Sequence, residues 1–236
     1  MDPRAVAIFV DAVHQFSSAG PTVRIGTRSS VLALVQAKHV LQLLARAFPA
    51  QRFRIVEMSS IADERQDVDL DKFQTTGVFT DALERALMGN QIDLIVHSLK
   101  DVPSTINPAT CLAAISARAD PRDAVVMGPR NSALRHLREL PADAVIGTSS
   151  ARRRAILQRQ FPSFTFKAVR GNVKTRLRKL DDYAQHGYDA LILAGAGLQR
   201  LHMQSRITYY LEPEDCPYAV RSTHNLFQCH RYRRCC

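Results

Sequence analysis

The chain has 236 residues, of which 46% are hydrophobic and 23% charged, the composition of an ordinary globular protein with one large or two smaller domains. No apolar run reaches the ~20 residues of a membrane helix, and the N-terminal stretch lacks the pattern of a secretory signal, which leaves import into an organelle as the open alternative to a cytoplasmic location. The formal net charge of +10 is carried mostly by arginine and favours an anionic partner, either a nucleic acid or a small molecule with several acidic groups.

Strands and helices are predicted to alternate along two stretches of the chain. In the first stretch, strands are predicted at 22–26, 52–58 and 93–98, and helices at 31–48 and 81–90, the second helix capped by Thr80. In the second stretch, strands are predicted at 143–147, 164–169 and 189–195, and helices at 151–161 and 170–187. This alternation indicates an α/β protein with mainly parallel strands.

A motif that occurs twice in the sequence predicts two lobes of similar structure. The segments "RIGTRSS" and "VIGTSSARR" each end a strand with Gly-Thr, continue with serines and open a helix. We expect an N-terminal extension at 1–20, lobe 1 at 21–116 with an incomplete return segment at 217–220, and lobe 2 at 117–216, hinged around a cleft. Residues 221–236 show neither strand alternation nor a helical stripe and are expected to be a divergent tail.

The cysteines argue against a metal site or a disulfide framework. Cys111, Cys216, Cys229, Cys235 and Cys236 are odd in number, irregularly spaced and without a Cys-x-x-Cys pair. No metal site is therefore predicted, and a reducing compartment such as the cytoplasm is favoured. Cys111 and Cys216 are interpreted as small packing residues.

Arginines accompany both Gly-Thr turns, at points where parallel strands should end. Arg28 lies in the first turn, Arg152 and Arg153 open the helix after the second, and Arg170 and Arg176 follow the next strand. Ligands of parallel α/β sheets bind beyond the carboxyl ends of the strands, and the N–H groups of a helix start favour an anion. The arrangement predicts a ligand with several carboxylates or phosphates. The serines of these turns either bind that anion as well or only cap the helices.

Lys100 and Asp101 follow a third predicted strand, "DLIVHS", and are expected to face the same cleft. An aspartate among arginines is expected to be ionised, so that Asp101 could stabilise a cationic intermediate or handle a proton. The alternative is an ordinary surface ion pair in a loop. His97 is interpreted as a packing residue rather than a catalyst.

Eight stretches, in register over residues 21–220, resemble the porphobilinogen deaminase (hydroxymethylbilane synthase) family. They are "RIGTRSSVLALVQA", "GVFTDALERAL", "DLIVHSLKDVP", "ARADPRDAVV", "VIGTSSARRRAILQRQFP", "VRGNVKTRLRKLD", "DALILAGAGLQRL" and "LEPEDCPYAV". The resemblance implies two periplasmic-binding-protein-like α/β lobes with a cleft between them. It also implies a monomeric transferase of heme and tetrapyrrole biosynthesis, which condenses four porphobilinogen molecules into hydroxymethylbilane and releases ammonia. The growing chain would be held by a dipyrromethane cofactor, attached to a cysteine by a thioether.

The resemblance also implies roles for individual residues. Asp101 would be the catalytic aspartate, next to the pyrrole nitrogens, with Lys100 holding an acidic side chain of the growing pyrrole chain. The residues implied to contact substrate or cofactor are Arg28, Ser30, Gln36, Ser98, Lys100, Thr148, Ser149, Ser150, Arg152, Arg153, Arg170, Arg176 and Arg200.

The chain departs from the family pattern after residue 220. The family's third, C-terminal α/β domain is expected to be absent, and with it the cysteine that carries the cofactor. Thr76 also stands in a loop where the family has glycine and lysine. We therefore expect weak activity or none. A non-catalytic carboxylate-binding module is the alternative; a nucleic-acid binder is less favoured, because the chain has no tryptophan and only 7% aromatic residues for base stacking.

Overall fold

The computed structural model describes residues 21–59, 80–103, 105–219, 221 and 223–230. The chain divides into two compact units: the first is formed by the chain up to Ala119 together with the segment from Arg221, and the second runs from Asp120 to Val220. The predicted return segment of lobe 1, at 217–220, thus belongs to the second unit.

Several sequence-based predictions fall outside the described residues. These concern the N-terminal extension at 1–20, the loop that contains Thr76, and Cys235 and Cys236.

Within its described residues, the first unit has five strands and two α-helices. Its elements in chain order are β1 (Val23–Arg28), α1 (Val31–Ala47), β2 (Phe53–Met58), α2 (Asp81–Met88), β3 (Leu94–Ser98), a 3-10 turn (Leu99–Asp101), β4 (Thr110–Ile115) and β10 (Asn225–His230). The predicted strands and helices of this stretch are confirmed to within a few residues. Thr80 is the N-cap residue of α2, as predicted, but its side chain makes no capping hydrogen bond. Its backbone carbonyl instead accepts from the N–H of Glu84 at 2.9 Å.

The second unit also has five strands within its described residues. Its strands and α-helices in chain order are β5 (Asp123–Met127), β6 (Val145–Gly147), α3 (Ala151–Gln160), β7 (Thr165–Lys167), α4 (Val173–Asp181), α5 (Tyr183–His186), β8 (Ala190–Ala194), α6 (Gly195–Arg200) and β9 (Tyr209–Tyr210). Short 3-10 turns lie at Pro129–Asn131, Leu137–Glu139 and Gln204–Arg206.

The single helix predicted at 170–187 is wrong, because two side-chain caps divide this segment. Asn172 starts α4, with its side chain accepting a hydrogen bond from the N–H of Thr175 at 2.9 Å. Asp182 ends α4 and caps α5, accepting from the N–H of Gln185 at 3.2 Å. Asparagine and aspartate favour this position, since they satisfy the unpaired N–H groups of a first helical turn.

The sheet of the first unit has the strand order β2-β1-β3-β10-β4. β1 runs parallel to both β2 and β3, while β10 lies antiparallel between β3 and β4. In this register Asn225 pairs with Ser98, and Cys229 pairs with Leu94 on one side and Cys111 on the other. The expectation that the segment after residue 220 contains no strand is therefore wrong for 225–230.

The sheet of the second unit has the strand order β7-β6-β8-β5-β9. β6 is parallel to β7 and β8, whereas β5 is antiparallel to both β8 and β9. Asp123, the first residue of β5, consequently pairs with Ala194, the last residue of β8. In each described sheet one strand, β10 or β5, runs against the other four, so the strands run mainly parallel as predicted, although four of the eight pairings are antiparallel.

Both sheets have apolar cores on their two faces, which explains their apolar inner strands. In the first unit, α1 packs its residues Ala37 and Val40 against Ile25 and Phe227, and α2 packs Leu83 in a separate cluster on Ile92 and Ile95. In the second unit, Val125 and Ile192 belong to one cluster and Val126 and Leu191 to the other.

The cysteines depart in part from the sequence interpretation. Cys111 is disulfide-bonded, so its interpretation as a simple packing residue is wrong. Its sulfur also lies 3.3 Å from that of Cys229. Among the residues that the structure describes, no cluster of three histidine, cysteine or acidic side chains is placed to hold a metal ion. None of the described helices combines the length and apolarity that a bilayer crossing requires.

Candidate active site

In the first unit, candidate residues meet at the carboxyl ends of neighbouring parallel strands. Arg28 is the last residue of β1, and Ser98 is the last residue of β3. The 3-10 turn that follows carries an exposed Lys100 and a partly buried Asp101. Because β1 and β3 are parallel and in register, these four residues lie at one edge of the sheet. The prediction that the Lys-Asp pair stands where the strand leaves the core is confirmed.

A buried amide network lies at the same edge. The Gln36 side chain on α1 donates from Nε2 to Ser98 Oγ at 3.0 Å and to Asn225 Oδ1 at 2.8 Å. Gln36 and Asn225 are 5% and 3% exposed, so both amides are locked by these contacts. The network joins two predicted site residues to β10, and Asn225 was not anticipated from the sequence.

Ser30 acts as a helix cap in this structure. Its hydroxyl accepts a hydrogen bond from the N–H of Ala33 at 3.4 Å, at the start of α1. This supports the capping interpretation of the first serine turn.

His97 lies beneath this edge on β3 and is 6% exposed. Burial lowers the pKa of its imidazole to about 4, although Asp101 and the Gln228 amide favour the protonated ring. Neither ring nitrogen makes a hydrogen bond of ordinary geometry with any residue that the structure describes. A neutral, buried ring agrees with the interpretation of His97 as a packing residue.

In the second unit, three parallel strands end at one edge of the sheet. Thr148, Ser149 and Ser150 follow β6, Arg170 follows β7, and Arg200 lies in α6 after β8. The serines have structural contacts: Ser150 Oγ accepts from the N–H of Arg153 at 3.4 Å, and Ser149 Oγ donates to the carbonyl of Val169 at 2.5 Å.

Thr148 is buried, and its hydroxyl accepts from the N–H of Ser150 at 3.3 Å. Arg200 is partly buried, and this burial lowers its pKa.

Arg152 and Arg153 both pair with a carboxylate that the sequence analysis did not single out. Asp123 Oδ2 accepts from Arg152 Nη2 at 2.5 Å, and Oδ1 accepts from Arg153 Nη2 at 2.7 Å. Burial alone would raise the pKa of Asp123, but the hydrogen bonds and charges of the two arginines outweigh it and hold the pKa below its ordinary value. One buried carboxylate thus pairs with two guanidinium groups and offsets half of their combined charge.

Arg176 lies close enough to two other guanidinium groups of this unit for their charges to affect its pKa. Arg176 on α4 donates from Nε to the carbonyl of Gly171 at 2.7 Å. Burial lowers the pKa of Arg176, and the positive charges of Arg153 and Arg170 lower it further. Like charges held together at low solvent exposure favour a bound anion, because an anion would relieve their repulsion.

The described residues are better suited to binding the carboxylates of a ligand than to attaching a ligand covalently through cysteine. The arginines of the second unit are suitable donors for acidic side chains. Cys216 is fully buried in the core, Cys229 is 1% exposed, and Cys111 is disulfide-bonded. Among the cysteines that the structure describes, none presents an accessible thiol for a thioether bond.

The chain is similar in sequence to a known family of proteins. Residues 23–230 match the family model described as "Porphobilinogen deaminase, dipyromethane cofactor binding domain". A porphobilinogen deaminase of Nostoc sp. is 48% identical over 204 residues, covering 86% of this chain and 62% of the relative. That of Yarrowia lipolytica is 43% identical over 205 residues, covering 85% and 60%. The chain therefore spans about three fifths of the length of these relatives.

Solved structures with a similar fold are more distant in sequence. The VFT2 domain of Bordetella pertussis BvgS superposes with a TM-score of 0.52 at 14% identity, covering 92% of this chain and 84% of that domain. The BenM effector-binding domain with benzoate gives a TM-score of 0.50 at 17% identity, covering 92% and 86%. These likenesses confirm the predicted periplasmic-binding-protein type of fold. The match in sequence goes further, and it shows that the chain belongs to the porphobilinogen deaminase family.

Proposed function

We propose that this chain binds porphobilinogen and its linear condensation products through their carboxylates. In this proposal it takes part in the condensation of four porphobilinogen molecules into hydroxymethylbilane, with release of ammonia, in tetrapyrrole biosynthesis. The observation that carries the proposal is the group of arginines beyond the carboxyl ends of β6 and β7, where Arg153 and Arg170 lower the pKa of Arg176.

The charge balance of that site supports a polycarboxylate ligand. Asp123 neutralises only part of the charge of Arg152 and Arg153, and Arg170 and Arg176 add two further cations nearby. Each porphobilinogen carries one acetate and one propionate. A chain of such units offers paired carboxylates that guanidinium groups bind in a bidentate way.

We assign the role of catalytic residue to Asp101. It lies in a tight turn at a strand end, next to Lys100 and at the same sheet edge as Arg28. In the proposed reaction its carboxylate accepts from a pyrrole N–H and stabilises the positive charge that develops as ammonia leaves. Lys100 and Arg28 would hold acidic side chains of the ligand, and Ser98 and Gln36 would shape the surface beneath it. Dipyrromethane, when bound, supplies the pyrrole to which substrate units are added.

A second candidate function is carboxylate binding without turnover. It is favoured by the cysteines, because those that the structure describes offer no accessible thiol for the cofactor. The two functions differ in one product: both require porphobilinogen binding, and only the first releases ammonia.

Titration calorimetry with porphobilinogen, followed by an ammonia assay, tests the proposal. We expect the wild-type chain to bind and Asp101→Asn to weaken the affinity by about tenfold or more, since hydrogen bonds to charged groups contribute about 1.5–3 kcal/mol. Asp81→Asn, at an exposed position of the same unit, is the matched control and should change the affinity by less than about twofold.

Absence of binding by the wild-type chain, or equal affinities of the two variants, would contradict the proposed function. The mass of the intact protein after incubation with porphobilinogen reports any covalently held pyrrole. We expect none, together with little ammonia; robust turnover would favour the first function over the second.

We further propose a monomer in the cytoplasm that does not bind nucleic acid. The absence of tryptophan and the low aromatic content support the last point. Light scattering, cell fractionation and a nucleic-acid titration at low salt test these three predictions separately.

A further inference from the structure

Asp123 occupies a position in the second unit that the sheet topology explains. The parallel strands β6, β7 and β8 end at the edge where the candidate arginines lie, whereas the antiparallel strand β5 begins there. The first residue of β5 therefore lies at the edge that carries Arg152, Arg153, Arg170 and Arg176, here called the arginine cluster, and its side chain is only 3% exposed. A carboxylate in this place is costly to bury unless it is fully paired.

The pairing of Asp123 fixes two guanidinium groups at once. Each of its oxygens accepts from a different arginine, at 2.5 Å from Arg152 and 2.7 Å from Arg153. Arg153 Nη1 also donates to the carbonyl of Ile192 at 3.0 Å. Arg152 Nη1 donates to the sulfur of Cys216 at 3.3 Å and to the carbonyl of Pro217. These contacts hold both side chains in single orientations.

Arg152 and Arg153 keep unused N–H donors after these contacts. Each guanidinium group has five N–H donors in a rigid fork. Arg153 Nε is buried and makes no hydrogen bond with any described residue, and the Arg152 side chain is 28% exposed. Since buried donors are rarely left without an acceptor, the unused N–H groups point to a ligand oxygen.

We propose that Asp123 is a positioning residue, which orients the guanidinium groups of Arg152 and Arg153 so that their remaining N–H donors meet a carboxylate of the pyrrole ligand. This inference rests on the proposed function. It assigns Asp123 no contact with the ligand; the residue acts through the two arginines and lowers the cost of ordering them on binding.

If Asp123 served only to neutralise charge, its removal would change the affinity for an anion in the opposite direction. If the carboxylate only neutralised the arginines, it would compete with the ligand, and its removal would strengthen anion binding by leaving one more positive charge. If it positions the arginines, its removal weakens binding even though the site becomes more positive. The direction of the change in affinity therefore separates the two interpretations.

The test compares Asp123→Asn with Asp181→Asn by calorimetric titration with porphobilinogen. Asp181 is an exposed carboxylate of the same unit that pairs with Arg206, so both variants change the net charge equally. We expect Asp123→Asn to weaken the affinity of the folded protein by about tenfold or more, and Asp181→Asn to leave it unchanged or slightly stronger. A folded Asp123→Asn variant that binds as tightly as the wild type, or more tightly, overturns the proposal.

Folding and function are separated by two further measurements. Circular dichroism shows whether Asp123→Asn is folded, because unpairing two buried arginines destabilises the unit. If it is unfolded, Asp123→Glu replaces it: this variant keeps the charge but displaces the guanidinium groups, and it should bind more weakly than the wild type. Wild-type affinity of Asp123→Glu overturns the proposal in that case. Failure of the wild-type chain to bind overturns the proposed function itself, and is recognised without any variant.

Discussion

His97 makes the stability of the first unit depend on pH in a way that can be calculated. Its ring is buried on β3 beneath the Lys100-Asp101 turn, and its pKa is lowered to about 4. In the unfolded chain a histidine takes up its proton near pH 6.5. Between these two values the unfolded state binds more protons than the folded state, so the free energy of unfolding must fall as the pH falls.

The size of this loss follows from the two pKa values. Linkage gives about 2 kcal/mol lost between pH 7 and pH 5, and about 3 kcal/mol by pH 4. The contribution of the neutral ring is fully present above pH 6.5. Replacing His97 with glutamine, which does not titrate, should remove this part of the pH dependence whatever its effect on stability at pH 7.

Urea unfolding followed by circular dichroism at pH 7 and pH 5 measures the effect. We expect His97→Gln to lose about 2 kcal/mol less stability than the wild type over this interval. His39→Gln is the matched control, since His39 is exposed on α1, and it should follow the wild type. Equal pH dependence of His97→Gln and the wild type would refute the reasoning and imply that the ring is accessible to water.

Two further pairs of variants test the packing of each unit. Phe227→Ala should destabilise the protein by about 3–5 kcal/mol because Phe227 is buried in the core of the first unit. Ile115→Ala, at a side chain that is 45% exposed, should cost under about 1 kcal/mol. Similar losses of stability for the two variants in thermal unfolding would contradict the placement of β10 in the core. Gly171→Ala should cost about 1–3 kcal/mol, since its φ is +106° and a Cβ would lie 2.7 Å from Thr175 Cγ2. Gly187 has a φ of +67°, and a Cβ added there would have no atom within 4 Å. Gly187→Ala should therefore cost only the backbone strain, about 1 kcal/mol. Equal losses of stability at the two glycines would show that the contact with Thr175 is absent.

The alternating elements were predictable because each strand and helix carries its own local signal. Buried parallel strands are short apolar runs, and α1 has apolar residues at helical spacing. Their carboxyl ends could therefore be located, and with them Arg28, Lys100, Asp101 and the arginines after β6 and β7. The serine turns were recognised as helix starts, and Ser30 and Ser150 cap their helices.

The antiparallel strands were not predictable in the same way. β10 lies inside its sheet, between β3 and β4, with both faces covered, so Asn225, Phe227 and Gln228 are all buried and no polar–apolar alternation arises. Its buried amides pair with side chains far away in sequence, such as Gln36 and Thr110. A single sequence contains no local sign of these partners.

Asp123 was missed for a related reason. Its place among the arginines depends on β5 running against β8, which is a property of the sheet rather than of the segment "PRDAVV". The available signal was an aspartate at the start of an otherwise apolar strand, where a charged residue needs a partner. That signal indicates pairing but does not identify Arg152 and Arg153 as the partners.

The most direct test of the central claim is the affinity for porphobilinogen of two variants on α4. Arg176 is held at the arginine cluster and Arg178 is exposed on the same helix, so Arg176→Gln and Arg178→Gln remove the same charge from neighbouring positions. If the cluster binds the ligand carboxylates, Arg176→Gln weakens the affinity by about tenfold or more and Arg178→Gln by less than about twofold. Equal affinities of the two variants would contradict the claim that these arginines form the binding site.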